Sequence, residues 1–200
     1  MNLGRVLEPG RAFYVWGGWS NLANYPLALK THGLFWHQQI IWVKNQPVLC
    51  RKDYMLKHEW CFYGWREGAG HSWFGPTNAT DIWEVDKVPS QKMVHLTEKP
   101  VALAVRAMQH SSRMGENVLD LFGGSGSTLI AAEQTGRHAF LMELDEAYCD
   151  VIVERWEKFT GRKAERIAPD AAVPALPVIE PTTEAQPANE NTPVEPGVVS

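Results

Sequence analysis

The stretch Val118-Leu119-Asp120-Leu121-Phe122-Gly123-Gly124-Ser125-Gly126-Ser127-Thr128 constrains this chain more than any other, because an apolar run stops at a glycine-rich loop and a helix-forming segment follows. Asn117 to Leu121 is short, apolar and bounded, as a buried parallel strand should be, and Leu129 to Glu133 favours helix. Gly123, Gly124 and Gly126 allow positive φ and close approach of a ligand to bare backbone, beside the free N–H groups of a helix start. Glu143 lies 23 residues after Asp120, at the end of a second apolar run, Ala139 to Met142, where a carboxylate can accept both hydroxyls of a ribose. A strand, a glycine loop, a helix and an acidic strand end at this spacing have the geometry of a doubly wound nucleotide site.

Other uses of such a loop leave different marks. A phosphate-cradling P-loop needs a lysine after its last glycine, and here Ser127 and Thr128 follow. A nucleophile elbow needs Gly-x-Ser-x-Gly, but the residues two before and two after Ser125 are Gly123 and Ser127. A turn that binds nothing stays open as a reading of the loop alone, and Glu143 at the expected distance weighs against it.

A second segment narrows the cofactor. His95-Leu96-Thr97-Glu98-Lys99-Pro100-Val101-Ala102-Leu103 runs into a helix with Val101, Ala104, Val105 and Met108 on one face and Pro100 suited to its first turn. With the loop that follows, this resembles the amino-methylating DNA methyltransferases of the β motif order. In that family His-x-Thr-x-Lys-Pro-x-x-Leu precedes Asp-x-Phe-x-Gly-Ser-Gly-x-Thr, and both contact S-adenosylmethionine. The resemblance spans about residues 8 to 163 and continues through Glu143-Leu144-Asp145-Glu146-Ala147-Tyr148. It implies a cofactor site built from Thr97, Lys99, Asp120, Phe122, Gly123, Gly124, Gly126, Ser127, Thr128 and Glu143. Thr97 and Lys99 would lie near the methionine carboxylate, the loop along the adenosine and methionine portions, and Glu143 at the ribose.

The same family holds its target amine with an Asp, Asn or Ser followed by Pro-Pro and an aromatic residue. The polar side chain and a backbone carbonyl accept the amine's hydrogens while the ring stacks on the flipped base. No Pro-Pro dipeptide occurs in this sequence, so no catalytic residue is assigned. Leu7 to Trp16 resembles the helix exit and strand that follow that motif, and the expectation is a domain with its catalytic front removed.

Ile40 to Asn45 reads as a strand that resembles the family's segment near the target-base pocket. Trp60, Phe62, Tyr63, Trp65, Trp73 and Phe74 crowd the next span, where aromatic rings can stack on splayed bases. The alternation from Glu59 to Trp65 equally fits a half-buried strand, and packing is the favoured role for most of these rings. Lys44, Arg51, Lys52 and Arg66 are the candidates for phosphate contact on double-stranded DNA.

Two hundred residues suffice for one α/β core, and no apolar run reaches the length of a membrane span or signal peptide, so a cytoplasmic protein is expected. Cys50, Cys61 and Cys149 lack metal-ligand spacing, and no metal is expected. From Ile167 to Ser200 there is no Lys, Arg or aromatic residue, and seven prolines and five carboxylates fall there, the composition of a disordered acidic tail. Without those five charges the net charge of −4 becomes +1, so any DNA face must be a local patch.

The expected organisation is a methyltransferase domain over residues 1–166, with its cofactor half at 95–163 and its base- and DNA-recognition region at about 38–94, ahead of the tail at 167–200. Strands are read at Ala12 to Trp16 and Gln38 to Val43, a helix around Tyr25 to Thr31, and a helix, strand, helix, strand, helix run from Pro100 to Thr160. The order suggests a Rossmann-like α/β fold, N-terminally truncated, with a largely parallel sheet and helices on both faces. The implied activity is methyl transfer to an exocyclic amine of DNA, adenine N6 ahead of cytosine N4. The competing expectation is an inactive remnant or one half of a split enzyme. A homodimer or an upstream-encoded catalytic half is then the partner.

Overall fold

The computed structural model describes residues 2–88 and 98–167. The chain enters through a short helix α1 (Asn2–Val6) and strand β1 (Ala12–Gly17), then helix α2 (Asn24–Thr31). Two long strands, β2 (Leu34–Val48) and β3 (Leu56–Arg66), and a short β4 (Ile82–Glu84) follow. The second half alternates as α3 (Val101–Ser111), β5 (Asn117–Asp120), α4 (Ser127–Thr135), β6 (His138–Leu141) and α5 (Glu146–Thr160).

The strands make two sheets, one ordered β1-β3-β2-β4 and one pairing β5 with β6. The parallel pairings are β2 with β4 and β5 with β6, whereas β3 runs antiparallel to both β1 and β2. That antiparallel run follows from the short 49–55 connection, which can reverse a chain but cannot carry it back for a parallel crossover. β2 extends beyond the Gln38 to Val43 core read from the sequence, and its register with β3 breaks between Val43 and Val48. Pro47, which has no N–H to give a ladder, sits in that break.

Helices cover both faces of the larger sheet. Ile40, Trp42, Cys61, Tyr63 and Trp83 pack with Leu103 of α3 on one side. Phe13, Leu34 and Phe62 pack with Leu29 of α2 on the other. Met108 of α3 packs with Ala131 and Ala132 of α4 over Val118 and Ala139 of the smaller sheet. Each large apolar side chain buried in this way contributes roughly 1.5–3 kcal/mol relative to exposure. Trp42 is 1 % exposed, and its indole Nε1 donates to the Val85 carbonyl at 2.7 Å, so this buried ring leaves no orphan donor.

β5 departs from the fully buried strand suggested by its apolar run, because Leu119 is 40 % exposed. Among the described residues β5 pairs only with β6 and β1 only with β3, so each keeps an unpaired edge. The two strands start beside one another. Arg11, just before β1, bonds Glu116, just before β5, at 2.9 Å, and the Tyr14 hydroxyl meets Ser111 Oγ at 2.7 Å.

Gly64 fixes how closely β2 and β3 approach. A Cβ at this position would overlap the Phe35 carbonyl oxygen and press within 2.9 Å of the Phe13 ring. Gly64→Ala is therefore expected to cost about 3 kcal/mol or more, since backbone cannot yield as a flexible side chain can. The melting temperature should fall by roughly 6–12 °C, read by circular dichroism, and an unchanged value would show that the Phe35 peptide moves freely.

Candidate cofactor site

β5 ends in Asp120, whose carboxylate shapes the loop that follows. Its Oδ1 accepts from the Phe122 N–H at 3.0 Å and its Oδ2 from the Thr128 hydroxyl at 2.6 Å, so the strand end and the start of α4 are tied together. The Gly123 N–H donates to the Met142 carbonyl at 2.8 Å and the Gly126 N–H to the Gly123 carbonyl at 2.8 Å, closing the turn beside β6. The Gly124 N–H donates to Glu143 Oε2 at 2.7 Å. The other oxygen, Oε1, accepts from the Leu144 and Asp145 N–H groups at 2.8 and 3.1 Å. The loop and the acidic strand end, 19 residues apart, therefore meet at one carboxylate.

The three glycines divide the work. A Cβ on Gly123 or Gly126 would come within 3.0 and 3.2 Å of Ile152 on α5, so these two positions let the helix approach. Gly124 is different. It sits at φ +53°, and a Cβ there would meet nothing nearer than the Phe122 carbonyl oxygen at 3.9 Å, so its outer side faces open space. Phe122 is 86 % exposed at the same turn, an aromatic surface with room for a flat ligand. α5 starts immediately beyond: Asp145 caps it by accepting from the Ala147 N–H at 2.9 Å, and Gly161, at φ +71°, ends it.

Lys99 stands at the entry to α3. Its carbonyl accepts from the Ser127 hydroxyl at 2.7 Å, which places the segment against the loop. Its ammonium lies 3.6 Å from Glu59 Oε2 and 5.9 Å from the centre of the Trp16 ring. Thr97 lies outside the described residues. Glu59 was not singled out by the sequence, where it is one polar position in an alternating strand; only the fold sets it between two lysines.

The second of those lysines is Lys44, expected as a phosphate contact. It is 6 % exposed and bonded to Glu59 Oε1 at 2.7 Å, so its charge is turned inward and matched within the protein. The other cations differ in kind. Arg51 and Lys52 are exposed between β2 and β3, with the Lys52 ammonium 3.5 Å from the Trp19 ring centre, while Arg66 donates to the Leu7 carbonyl at 2.5 Å. Arg51 and Lys52 thus share one exposed stretch, and Lys44 and Arg66 are spent on internal contacts.

Among the described residues the buried thiol and phenol offer no activated nucleophile. Burial pushes the Cys61 thiol and the Tyr14 phenol well above their ordinary ranges, so both stay protonated near neutrality. Among the described residues no group of three His, Cys, Asp or Glu is placed to hold a metal ion. What the loop offers is a bare backbone turn, an exposed ring and a carboxylate fixed at the strand end by three backbone N–H groups. That combination suits a neutral-to-cationic adenosyl ligand better than a phosphate.

The model of the DNA methylase family matches residues 75–154, which span the α3 entry, the glycine loop and Glu143. Over those residues the chain is similar to the N6/N4 DNA methylases. The type II methyltransferase M.SmaI of Serratia marcescens is 30 % identical over 142 residues, which cover 64 % of this chain and 48 % of that protein. The chain thus spans about half the length of this curated relative. Among solved structures, a complex of M1.HpyAVI with SAM superposes with a TM-score of 0.69 at 21 % identity, covering 77 % of this chain and 78 % of the other. The cytosine-N4-specific PvuII DNA methyltransferase gives a TM-score of 0.64 at 16 % identity, over 80 % and 71 % of the two chains. The Rossmann-like methyltransferase fold read from the sequence is the fold of this domain, with helices on both faces of its larger sheet, but that sheet is not the largely parallel one expected, because β3 runs antiparallel to both β1 and β2.

Proposed function

We propose that this chain is the cofactor-binding part of a cytoplasmic DNA methyltransferase that uses S-adenosylmethionine to methylate an exocyclic amine of double-stranded DNA, adenine N6 ahead of cytosine N4. The observation that carries this reading is the meeting of Gly124 and Glu143, because it joins an open backbone turn to a ribose acceptor at one point. Bound there, S-adenosylmethionine would supply an electrophilic methyl group on its sulfonium. Glu143 would accept the ribose hydroxyls, the Phe122 ring would lie along the adenosine, and the Gly124 turn would admit the chain of the ligand without a side chain in the way. Asp120, Ser127 and Thr128 would hold the loop in that shape from within, through the bonds described above. Lys99 would face the methionine carboxylate and exchange part of its contact with Glu59 for it. Arg51 and Lys52 remain the cations to offer a DNA backbone.

Titration calorimetry of the 200-residue chain with S-adenosylmethionine tests the reading. Saturable one-to-one binding is expected, and its absence would sink the assignment of the loop.

A second reading, one part of a two-part enzyme, is favoured by the unpaired edges of β1 and β5. These strands start together at the Arg11–Glu116 bond, and a cleft of about 360 Å3 lined by Gly10, Arg11, Arg113 and Glu116 opens at that point. An extended segment from another polypeptide would find backbone donors and acceptors on both strands. The exposed Leu119 would then be covered.

A further inference from the structure

The loop at the candidate cofactor site is held from behind by one cation that the sequence reading did not use. Arg155, on α5, directs Nη1 to the Ser125 carbonyl at 2.9 Å and to Ser125 Oγ at 3.0 Å. The same nitrogen lies 2.7 Å from Glu98 Oε1, a carboxylate whose side chain is only 3 % exposed. Ser125 is itself 5 % exposed, and its hydroxyl lies 3.3 Å from that of Ser127, which in turn bonds the Lys99 carbonyl. Ile152, three residues before Arg155 and on the same face of α5, is the side chain beneath Gly123 and Gly126. One helix face therefore supports the loop twice, by an apolar contact and by a guanidinium.

We propose that Arg155 is a positioning residue for the cofactor: it fixes the Gly123–Ser127 turn and the Glu98–Lys99 segment relative to each other before the ligand arrives. The inference rests on the reading of this loop as an S-adenosylmethionine site. Its physical content is preorganisation. Both segments carry residues that would touch the ligand, and they come from chain positions about 25 apart, joined through Arg155 and the Ser127–Lys99 bond. A site whose walls are already fixed loses less freedom on binding, so affinity rises without a new ligand contact. A guanidinium suits this post because its planar group fixes the directions of the Nη1 hydrogens toward these acceptors, whereas a lysine ammonium turns freely on a flexible stem. Glu98 is buried and Arg155 partly so, which shields their contact in part from screening.

The test separates positioning from simple stabilisation. Arg155→Lys keeps a positive charge for Glu98 and loses the planar group that directs Nη1 to Ser125. It should weaken S-adenosylmethionine binding on the order of tenfold, the scale on which supporting contacts behind a ligand site act, with a melting temperature close to that of the parent. Arg155→Met leaves Glu98 buried without this partner and is expected to lower the melting temperature as well. The pair Arg155→Met with Glu98→Gln should recover the melting temperature and leave binding weak. Lys158→Met, on the exposed side of the same helix, should change neither quantity. In the ligand-free chain, Arg155→Lys should speed amide exchange at Gly124 to Ser127 and leave β3 unaffected. Binding at parental strength in both Arg155→Lys and the double variant, with unchanged exchange, would overturn the proposal. If the parent chain binds no S-adenosylmethionine, the reading of the loop fails first and the role of Arg155 falls with it.

Discussion

Gly124→Asp should abolish S-adenosylmethionine binding while the protein still folds. The two effects separate because of where the residue sits. A Cβ at Gly124 meets no atom closer than 3.9 Å, so the fold has room for a side chain. The φ of +53° costs an L-residue about 1–2 kcal/mol, and Asp is among the residues that tolerate this region best. The melting temperature should therefore drop by no more than roughly 2–8 °C. The ligand sees something else. The new carboxylate occupies the open side of the turn, next to Glu143, whose Oε2 already accepts from the Gly124 N–H at 2.7 Å. It adds a second negative charge where the methionine carboxylate would pass, and like charges at such distances resist one another strongly in a partly dehydrated site. We expect at least a hundredfold loss in affinity by calorimetry, which corresponds to about 2.7 kcal/mol. Gly124→Ala separates shape from charge and should fall between the two. Equal affinities for the parent and the aspartate variant would mean that the ligand does not approach this turn.

Much of this site was legible in the sequence because its logic is local. A strand that stops at Asp120, three glycines, a helix that begins at Ser127 and an acid at Glu143 are all readable within one short stretch, and each fixes its neighbours through backbone bonds. Asp145 and Gly161 act just as locally, since a cap and a helix stop depend on a few adjacent residues. The rest depended on partners far along the chain. Lys44 resembles any surface lysine until β3 brings Glu59 to it. The uses of Gly123 and Gly126 appear only when Ile152, over 25 residues later, packs against them. Arg155 looked like one of several helix cations, and its contact with Ser125 and Glu98 is tertiary. β5 misled for the opposite reason: an apolar run reports what a strand is able to bury, and its exposure at Leu119 depends on which neighbours are present. His95 and Thr97, and the acidic stretch from residue 168 onward, lie outside the described residues.

Residues 1–200 by themselves should transfer methyl groups to DNA at a rate indistinguishable from a blank, even where they bind cofactor. The family resemblance places the target amine in the grip of an Asp, Asn or Ser followed by Pro-Pro and an aromatic ring, and no such run occurs in these residues. The nearest substitute is Asn45-Gln46-Pro47, and the structure shows why it cannot serve. The Asn45 side-chain oxygen already accepts from the Gln46 N–H at 3.0 Å and from the Lys87 N–H at 3.1 Å, so its acceptor is committed to the backbone. Without a group to aim the amine's lone pair, the reaction forfeits the advantage of orientation, which in enzymes amounts to roughly 7–11 kcal/mol. A loss of even half that size is roughly 400-fold to 10,000-fold in rate. The assay is incorporation of labelled methyl into mixed-sequence duplex DNA, with hydrolysis and separation of N6-methyladenine from N4-methylcytosine. The 200-residue chain is compared with a longer polypeptide carrying the family's amine-holding motif ahead of Met1. Label should appear only with the longer chain, and the modified base it carries decides between adenine and cytosine. Rapid transfer by the 200 residues alone would mean that another side chain on these elements holds the amine, and the exposed polar groups around the Phe122 turn would be the first place to look for it.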